Sequence, residues 1–190
     1  MIRNDDVRTD QELVALTLKD RHAFVAIVER YQVVLQRYIA RLGCRDYHDQ
    51  EDVLQEVFLK VYINLNEYDS DLKFSSWIYR ITHNETISYF RKKSVQPLPI
   101  ITGEELDRFQ NITDDTDIAL AYSKEWDAKI LREVLAKLDE QYRDVLVLKF
   151  IEDKSYNEIS DILKIPIGTV GTLINRGKKQ LKLILHKKKI

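Results

Sequence analysis

Asp49, Asp52 and Glu56 recur at spacings of three and four with Gln55 beside them, so a helix carrying them presents a stripe of carboxylates on one face. Like charges so placed cost about 0.2–0.5 kcal/mol per pair, a cost that a cationic protein partner offsets. A plain solvated face is the alternative. Trp77, Arg80, Asn84, Ile87 and Arg91 follow one another at steps of three, four, three and four and line one stripe of a second helix. An aromatic ring, guanidinium groups and an amide together supply what unstacked bases require: a π surface, phosphate neutralisation and hydrogen bonds to base edges. Lys73, Lys92 and Lys93 add charge at the two ends. Taken by itself, Trp77 also reads as a half-buried core residue. The third group is C-terminal. Arg176, Lys178, Lys179, Lys182, Lys187, Lys188 and Lys189 are seven cations in the last fifteen residues with no acid among them. Such a run neutralises phosphates, and that supplies affinity without sequence preference; a solvated basic tail is the other reading.

No catalytic constellation accompanies these groups. His22, His48, His83 and His186 show no metal-ligand spacing, and the acids after His48 suit a helix N-terminus. There is no phosphate-cradling glycine loop. The single Cys44 allows no internal disulfide and no CxxC site. The chain therefore reads as a non-enzyme that needs no cofactor, metal or small-molecule substrate. Its first ten residues, MIRNDDVRTD, lack the apolar core of a signal peptide, and no run approaches the roughly 18 apolar residues of a membrane span. A soluble, cytoplasmic protein is expected.

The elements that must position these residues are helices. Only five Gly and three Pro occur in 190 residues, 44% of them apolar, and polar/apolar alternation is scarce. An all-α fold of two small helical domains follows, with charge dividing the chain into three blocks. Residues 1–93 carry −1, 94–120 carry −5 and include Pro97, Pro99 and Gly103, and 121–190 carry +5. The middle block reads as a linker. Periodicity predicts helices over 10–18, 21–42, 48–65 and 75–92 in the first domain, with Gly43 just past a helix end. In the second domain it predicts helices over 119–138 and 141–151. Ser155-Tyr156-Asn157-Glu158 is a capping box for a helix ending near Lys164, and Pro166 opens another that runs to about Leu185. A tight pair of short helices whose second member is basic is a helix-turn-helix, which puts side chains into a major groove.

The order of these motifs resembles one family. DQEDVLQEVFLKVY (49–62) followed by FSSWIYRITHN (74–84) looks like the core-binding and promoter-melting segments of bacterial extracytoplasmic-function sigma factors, members of the sigma-70 family. LKF (148–150), SYNEI (155–159) and IPIGTV (165–170) resemble their DNA-binding helix-turn-helix. The resemblance implies a region 2 within 1–93, a linker over 94–120 and a region 4 within 121–190. It implies that Asp49, Asp52, Gln55, Glu56 and Lys60 bind core RNA polymerase. The loop 66–73 would capture a flipped base of the −10 element, with Lys73, Trp77, Arg80, Asn84 and Arg91 beside the opened strand. The acidic linker would thread toward the RNA path. At the −35 element the helix-turn-helix would act through Ser155, Thr169, Thr172, Asn175, Arg176, Lys178 and Lys179. The partners so implied are core RNA polymerase and promoter DNA, and an anti-sigma factor is a further partner that the resemblance allows. Five positions depart from the family pattern: Ser160 stands where Ala is common, Lys164 where Gly is, Ser88 where Asp is, and Gly171 and Leu173 where basic residues are usual. The competing reading is a one-component or response-regulator transcriptional regulator, with the same helix-turn-helix and an N-terminal sensing or dimerisation domain.

Overall fold

The computed structural model describes residues 8–94 and 135–188. Among them lie seven α-helices and no strand. The linker beyond Ser94, most of the helix expected over 119–138 and the side chains of Lys187, Lys188 and Lys189 fall outside the described residues. α1 (Asp10–Lys19) begins at Thr9, whose hydroxyl accepts the Glu12 amide at 3.3 Å while the Glu12 carboxylate accepts the Thr9 amide at 2.6 Å. The helix expected from Arg21 starts later. The Asp20 carboxylate accepts the His22 amide, holding Arg21–Ala23 in a 3-10 turn, and α2 (Phe24–Leu42) follows. α2 ends at Gly43, whose φ of 122° is open to glycine and strained for any side chain.

Asp46 caps α3 (Tyr47–Ile63) by accepting the amides of His48 and Asp49. α3 ends two residues short of the expected Leu65, which instead anchors a 3-10 turn from Leu65 to Glu67. α4 (Phe74–Lys93) closes the N-terminal group. Ile27, Tyr31, Leu35, Tyr38 and Leu42 of α2 bury one stripe, and Val53, Val57 and Val61 of α3 bury another. The aliphatic side chains among them each contribute about 1.5–3 kcal/mol on leaving water, and this stripe-on-stripe packing fixes the direction in which the outer face of α3 points.

α5 (Glu140–Phe150), α6 (Tyr156–Leu163) and α7 (Ile167–Lys188) form the C-terminal group. The predicted capping box is present, with Ser155 Oγ accepting the Glu158 amide at 3.3 Å and the Glu158 carboxylate accepting the Ser155 amide at 2.9 Å. Two groups of helices are in contact: α4 lies along α6, and α5 touches α2.

Candidate functional site

On α3, the inward valines leave Asp52, Gln55, Glu56 and Lys60 exposed on the opposite side. Leu59 and Ile63 join them, 52% and 61% exposed. Asp52, Gln55, Glu56, Leu59, Lys60 and Ile63 recur at three and four spacing, so the face is acidic toward its start and apolar toward its end. Sequence reading followed the acids and passed over the two apolar residues. The available signal was that both fall off the inward 53–57–61 stripe. Asp49 turns aside and accepts a hydrogen bond from Lys93 Nζ at 2.6 Å. That bond, with a further one from Tyr89, holds its carboxyl below the usual range and the Lys93 ammonium above its own. Burial first, then the bond to Asp49, pushes the Tyr89 hydroxyl up to about 12. Lys60 reaches Glu85 of α4 at 2.6 Å. Between α3 and α4, Asp52, Glu56, Ser88, Tyr89 and Lys92 line a shallow cleft of about 100 Å³.

On α4 the expected stripe divides. Asn84 and Arg91 are exposed and Arg80 is half-buried. Trp77 is 6% exposed, its ring 5.6 Å from those of Tyr68 and Phe74. Tyr31 joins the same cluster through Phe74. Trp77 thus fastens the 66–73 loop to the helix: Tyr68 stacks on it from that loop and donates its hydroxyl to the Leu72 carbonyl. Lys73, at the N-cap of α4, pairs with Glu158 of α6 at 3.1 Å.

On α7, Val170, Ile174, Gly177 and Leu181 face inward. Thr169, Thr172, Asn175, Arg176 and Lys179 stand exposed on the outer side, and half-buried Lys178 lays its Nζ 5.2 Å from the Phe150 ring. Thr172 donates its hydroxyl to the Gly168 carbonyl at 2.9 Å, leaving the oxygen free to accept. Leu173 turns from this outer row into a cleft of about 530 Å³, lined by Asp139, Glu140, Leu163 and Ile165 among others. A Cβ built on Gly171 meets only the Tyr156 ring, at 3.6 Å. The Ser155 hydroxyl is spent on the α6 cap. Burial alone raises the Glu158 carboxyl, but hydrogen bonds from Ser155 and Lys73 outweigh it and hold that group at about 2.

The Sigma-70 region 2 model matches residues 27–95, and the Sigma-70 region 4 model matches 128–181. The ECF RNA polymerase sigma factor SigW of Bacillus subtilis is 36% identical over 172 residues, a stretch covering 86% of this chain and 89% of that relative. The chain belongs to the ECF sigma factors. The ECF RNA polymerase sigma-E factor of Escherichia coli is 29% identical over 181 residues, covering 91% of this chain and 92% of its own. In fold this sigma factor is similar to CnrH, solved in complex with the cytosolic domain of CnrY, with a TM-score of 0.67 at 23% identity over 94% of this chain and 97% of that one. It is also similar to the sigma factor RpoE of Bartonella quintana, solved with the anti-sigma factor NepR, with a TM-score of 0.58 at 20% identity over 84% and 96%. The region 2 match takes in most of α2 and all of α3 and α4, and the region 4 match takes in α5, α6 and most of α7 of this sigma factor. Among its described residues no helix is long and apolar enough to cross a membrane.

Proposed function

We propose that the chain binds core RNA polymerase through the outer face of α3, opens promoter DNA along α4 and reads the −35 element with α7. It would initiate transcription in the cytoplasm while catalysing nothing itself. One observation carries this reading: sigma-70 regions 2 and 4 follow one another in a single chain that is 36% identical to a sigma factor along most of its length. The competing regulator reading needs only the helix-turn-helix and leaves the region 2 match unexplained.

The division of labour follows from chemistry. The α3 face joins acids to Leu59 and Ile63, a combination that suits a protein surface with basic and apolar parts. Arg80, Asn84, Arg91 and Lys73 supply cations and an amide for an exposed strand, and the loop 66–73 fastened by Trp77 would hold an extruded base. Binding energy for such bases offsets the few kcal/mol of unstacking, so no nucleotide hydrolysis is needed. Thr169, Thr172, Asn175, Arg176 and Lys179 would meet the duplex, with Lys178 beside them and the amide end of α6, capped by Ser155, at its margin. Residues 1–93, 94–120 and 121–190 would serve as anchoring domain, strap and duplex-reading domain. An anti-sigma factor is a proposed further partner, in line with the complex known for the RpoE neighbour.

In-vitro transcription with purified core polymerase and a promoter library tests the whole reading: promoter-specific transcripts that require the chain are expected, and none at any promoter would overturn it. The docking face has its own test. Asp52→Lys with Glu56→Lys should weaken core binding at least tenfold with an unchanged circular-dichroism spectrum, and unchanged affinity would remove α3 from the polymerase contact.

A further inference from the structure

One large side chain of the C-terminal helices belongs neither to their interior nor to the outer row of α7. Tyr156 occupies the first position of α6, directly after the Ser155 cap, and is 39% exposed. A helical side chain leans toward the N-terminus of its helix, so at this position it projects past the start of α6, where the free amides point outward. Its ring comes to rest beside α7: a Cβ built on Gly171 would lie 3.6 Å from Tyr156 Cε2. Gly168, Gly171, Thr172 and Asn175 stand at i, i+3, i+4 and i+7 and therefore share one face of α7. A Cβ on Gly168 would meet nothing within 4 Å, so that face is open at its start. Tyr156 flanks it, and the lack of a side chain at 171 leaves the ring uncovered on that flank. From α5, Lys149 sets its ammonium 5.7 Å from the ring centre and donates to the Lys154 carbonyl at 3.4 Å. The Tyr156 hydroxyl has no hydrogen-bond partner among the described residues.

We propose that Tyr156 is a specificity residue for the −35 element: its ring, lying beside Gly171, packs on the 5-methyl group of a thymine, and its hydroxyl donates to a phosphate at the border of the major groove. The proposal rests on α7 being the duplex-reading helix.

In the major groove the thymine methyl is the apolar feature by which a base pair is told apart. The ring offers apolar surface at the edge of the reading face, and glycine at 171 removes the side chain that would compete for the same space. A lysine or arginine there would run past the ring and carry its charge to guanine or to a phosphate instead. With the ring edge against a base, the hydroxyl lies at the far end of the side chain, and the Lys149 ammonium places a cation beside the same ring. Ring and hydroxyl thus divide the work: the base contact selects sequence and the phosphate contact fixes position.

The test uses holoenzyme assembled from the full chain and core polymerase, with −35 elements selected from a promoter library. Each selected thymine is replaced in turn by deoxyuridine, which deletes the methyl and keeps every hydrogen-bonding group, and binding is measured by competition gel shift. At one position the replacement is expected to weaken binding about three- to fourfold, the effect of one buried methyl group. Tyr156→Ala should make that position indifferent to the methyl. Tyr156→Phe, which keeps the ring on Gly171, should retain the full methyl effect and bind every promoter about tenfold more weakly, having lost a hydrogen bond to a charged acceptor. Selected elements without thymine, or a parent that ignores the methyl at every position, would overturn the proposal. A methyl effect that survives in Tyr156→Ala would also overturn it and assign the contact to Thr169 or Thr172, and so would Tyr156→Phe binding like the parent. In each of these cases the parent still selects promoters, and the functional reading stands; a parent holoenzyme that selects none brings down that reading and this proposal with it.

Discussion

Ser160 and Lys164 depart from their family pattern together, and the turn between α6 and α7 shows why. Lys164 ends α6 at φ 54°, in the left-handed region where a side chain costs about 1 kcal/mol relative to glycine. The Ser160 hydroxyl reaches across that turn and donates to the Ile165 carbonyl at 2.6 Å, a bond that alanine cannot make. Hydrogen bonds of this kind contribute about 1 kcal/mol, so one departure offsets the other. Ser160→Ala should therefore lower stability by about 1 kcal/mol and Lys164→Gly raise it by up to about 1 kcal/mol, read as opposite shifts of the urea midpoint at constant slope. Trp77 makes a parallel point on α4. Its type and spacing matched a stacking platform, but Tyr68 and Phe74 enclose the ring, so Trp77→Ala should cost about 3–5 kcal/mol of stability. A clean probe of strand opening is Arg80→Ala with Asn84→Ala. That pair should leave the melting temperature within a few degrees of the parent and reduce the open complex detected by permanganate footprinting at least fivefold; parental footprints would move the opening face elsewhere.

At the level of elements, one helix answers a question its sequence left open. α7 holds Gly171 and Gly177, and each interior glycine costs a helix about 1 kcal/mol against alanine. Composition alone cannot rank them. A Cβ at Gly171 meets the Tyr156 ring at an ordinary 3.6 Å, whereas one at Gly177 comes within 3.2–3.3 Å of Leu146 and Tyr142, close to the α5 backbone. Gly171→Ala should stabilise by about 1 kcal/mol, and Gly177→Ala should destabilise by about 1–2 kcal/mol once the overpacking outweighs the propensity gain. Thermal melts of the two variants side by side check the contrast, and equal signs would mean that Leu146 and Tyr142 yield to a methyl group at the α5–α7 crossing. The same helix explains Leu173, whose cleft lies between helices and so was invisible to a reading along one chain segment. What could be read in advance were features written within a few residues: the Ser155 capping box, Gly43 at a helix end, Pro166 before α7 and the inward 53–57–61 register. The Asp20 turn that delays α2 depends on one side-chain bond, to the His22 amide, and the short 3-10 turn after α3 is closed by backbone bonds around buried Leu65; both broke the expected boundaries.

For the whole molecule, net charge concealed more than it told. The C-terminal block sums to +5, yet Asp144, Glu152 and Glu158 meet residues of α4 or its cap while Arg176 and Lys179 stand exposed on the outer side of α7. Only the three-dimensional arrangement separates these signs, because the acids sit on α5, α6 and the turn between them, and no window of sequence holds them on one face. The exposed acids of α3, by contrast, could be read from spacing because they lie on one helix, whereas the same spacing on α4 took in Trp77 and Ile87, which are buried. The contact between α6 and the start of α4 also sets an acid dependence whose sign is fixed by Glu158. Its carboxyl is held at about 2, against about 4.3 in an unfolded chain, with the Lys73 ammonium and Ser155 facing it and Lys154 nearby. A depressed carboxyl stabilises the native state fully above the unfolded value, and that contribution fades as pH falls from about 4.3 through 2. Glu158→Gln should accordingly melt lower than the parent at neutral pH, and the gap between the two should narrow steadily across that interval. A gap independent of pH down to 2 would show that the carboxylate charge contributes nothing and that the Ser155 cap geometry alone holds the start of α6.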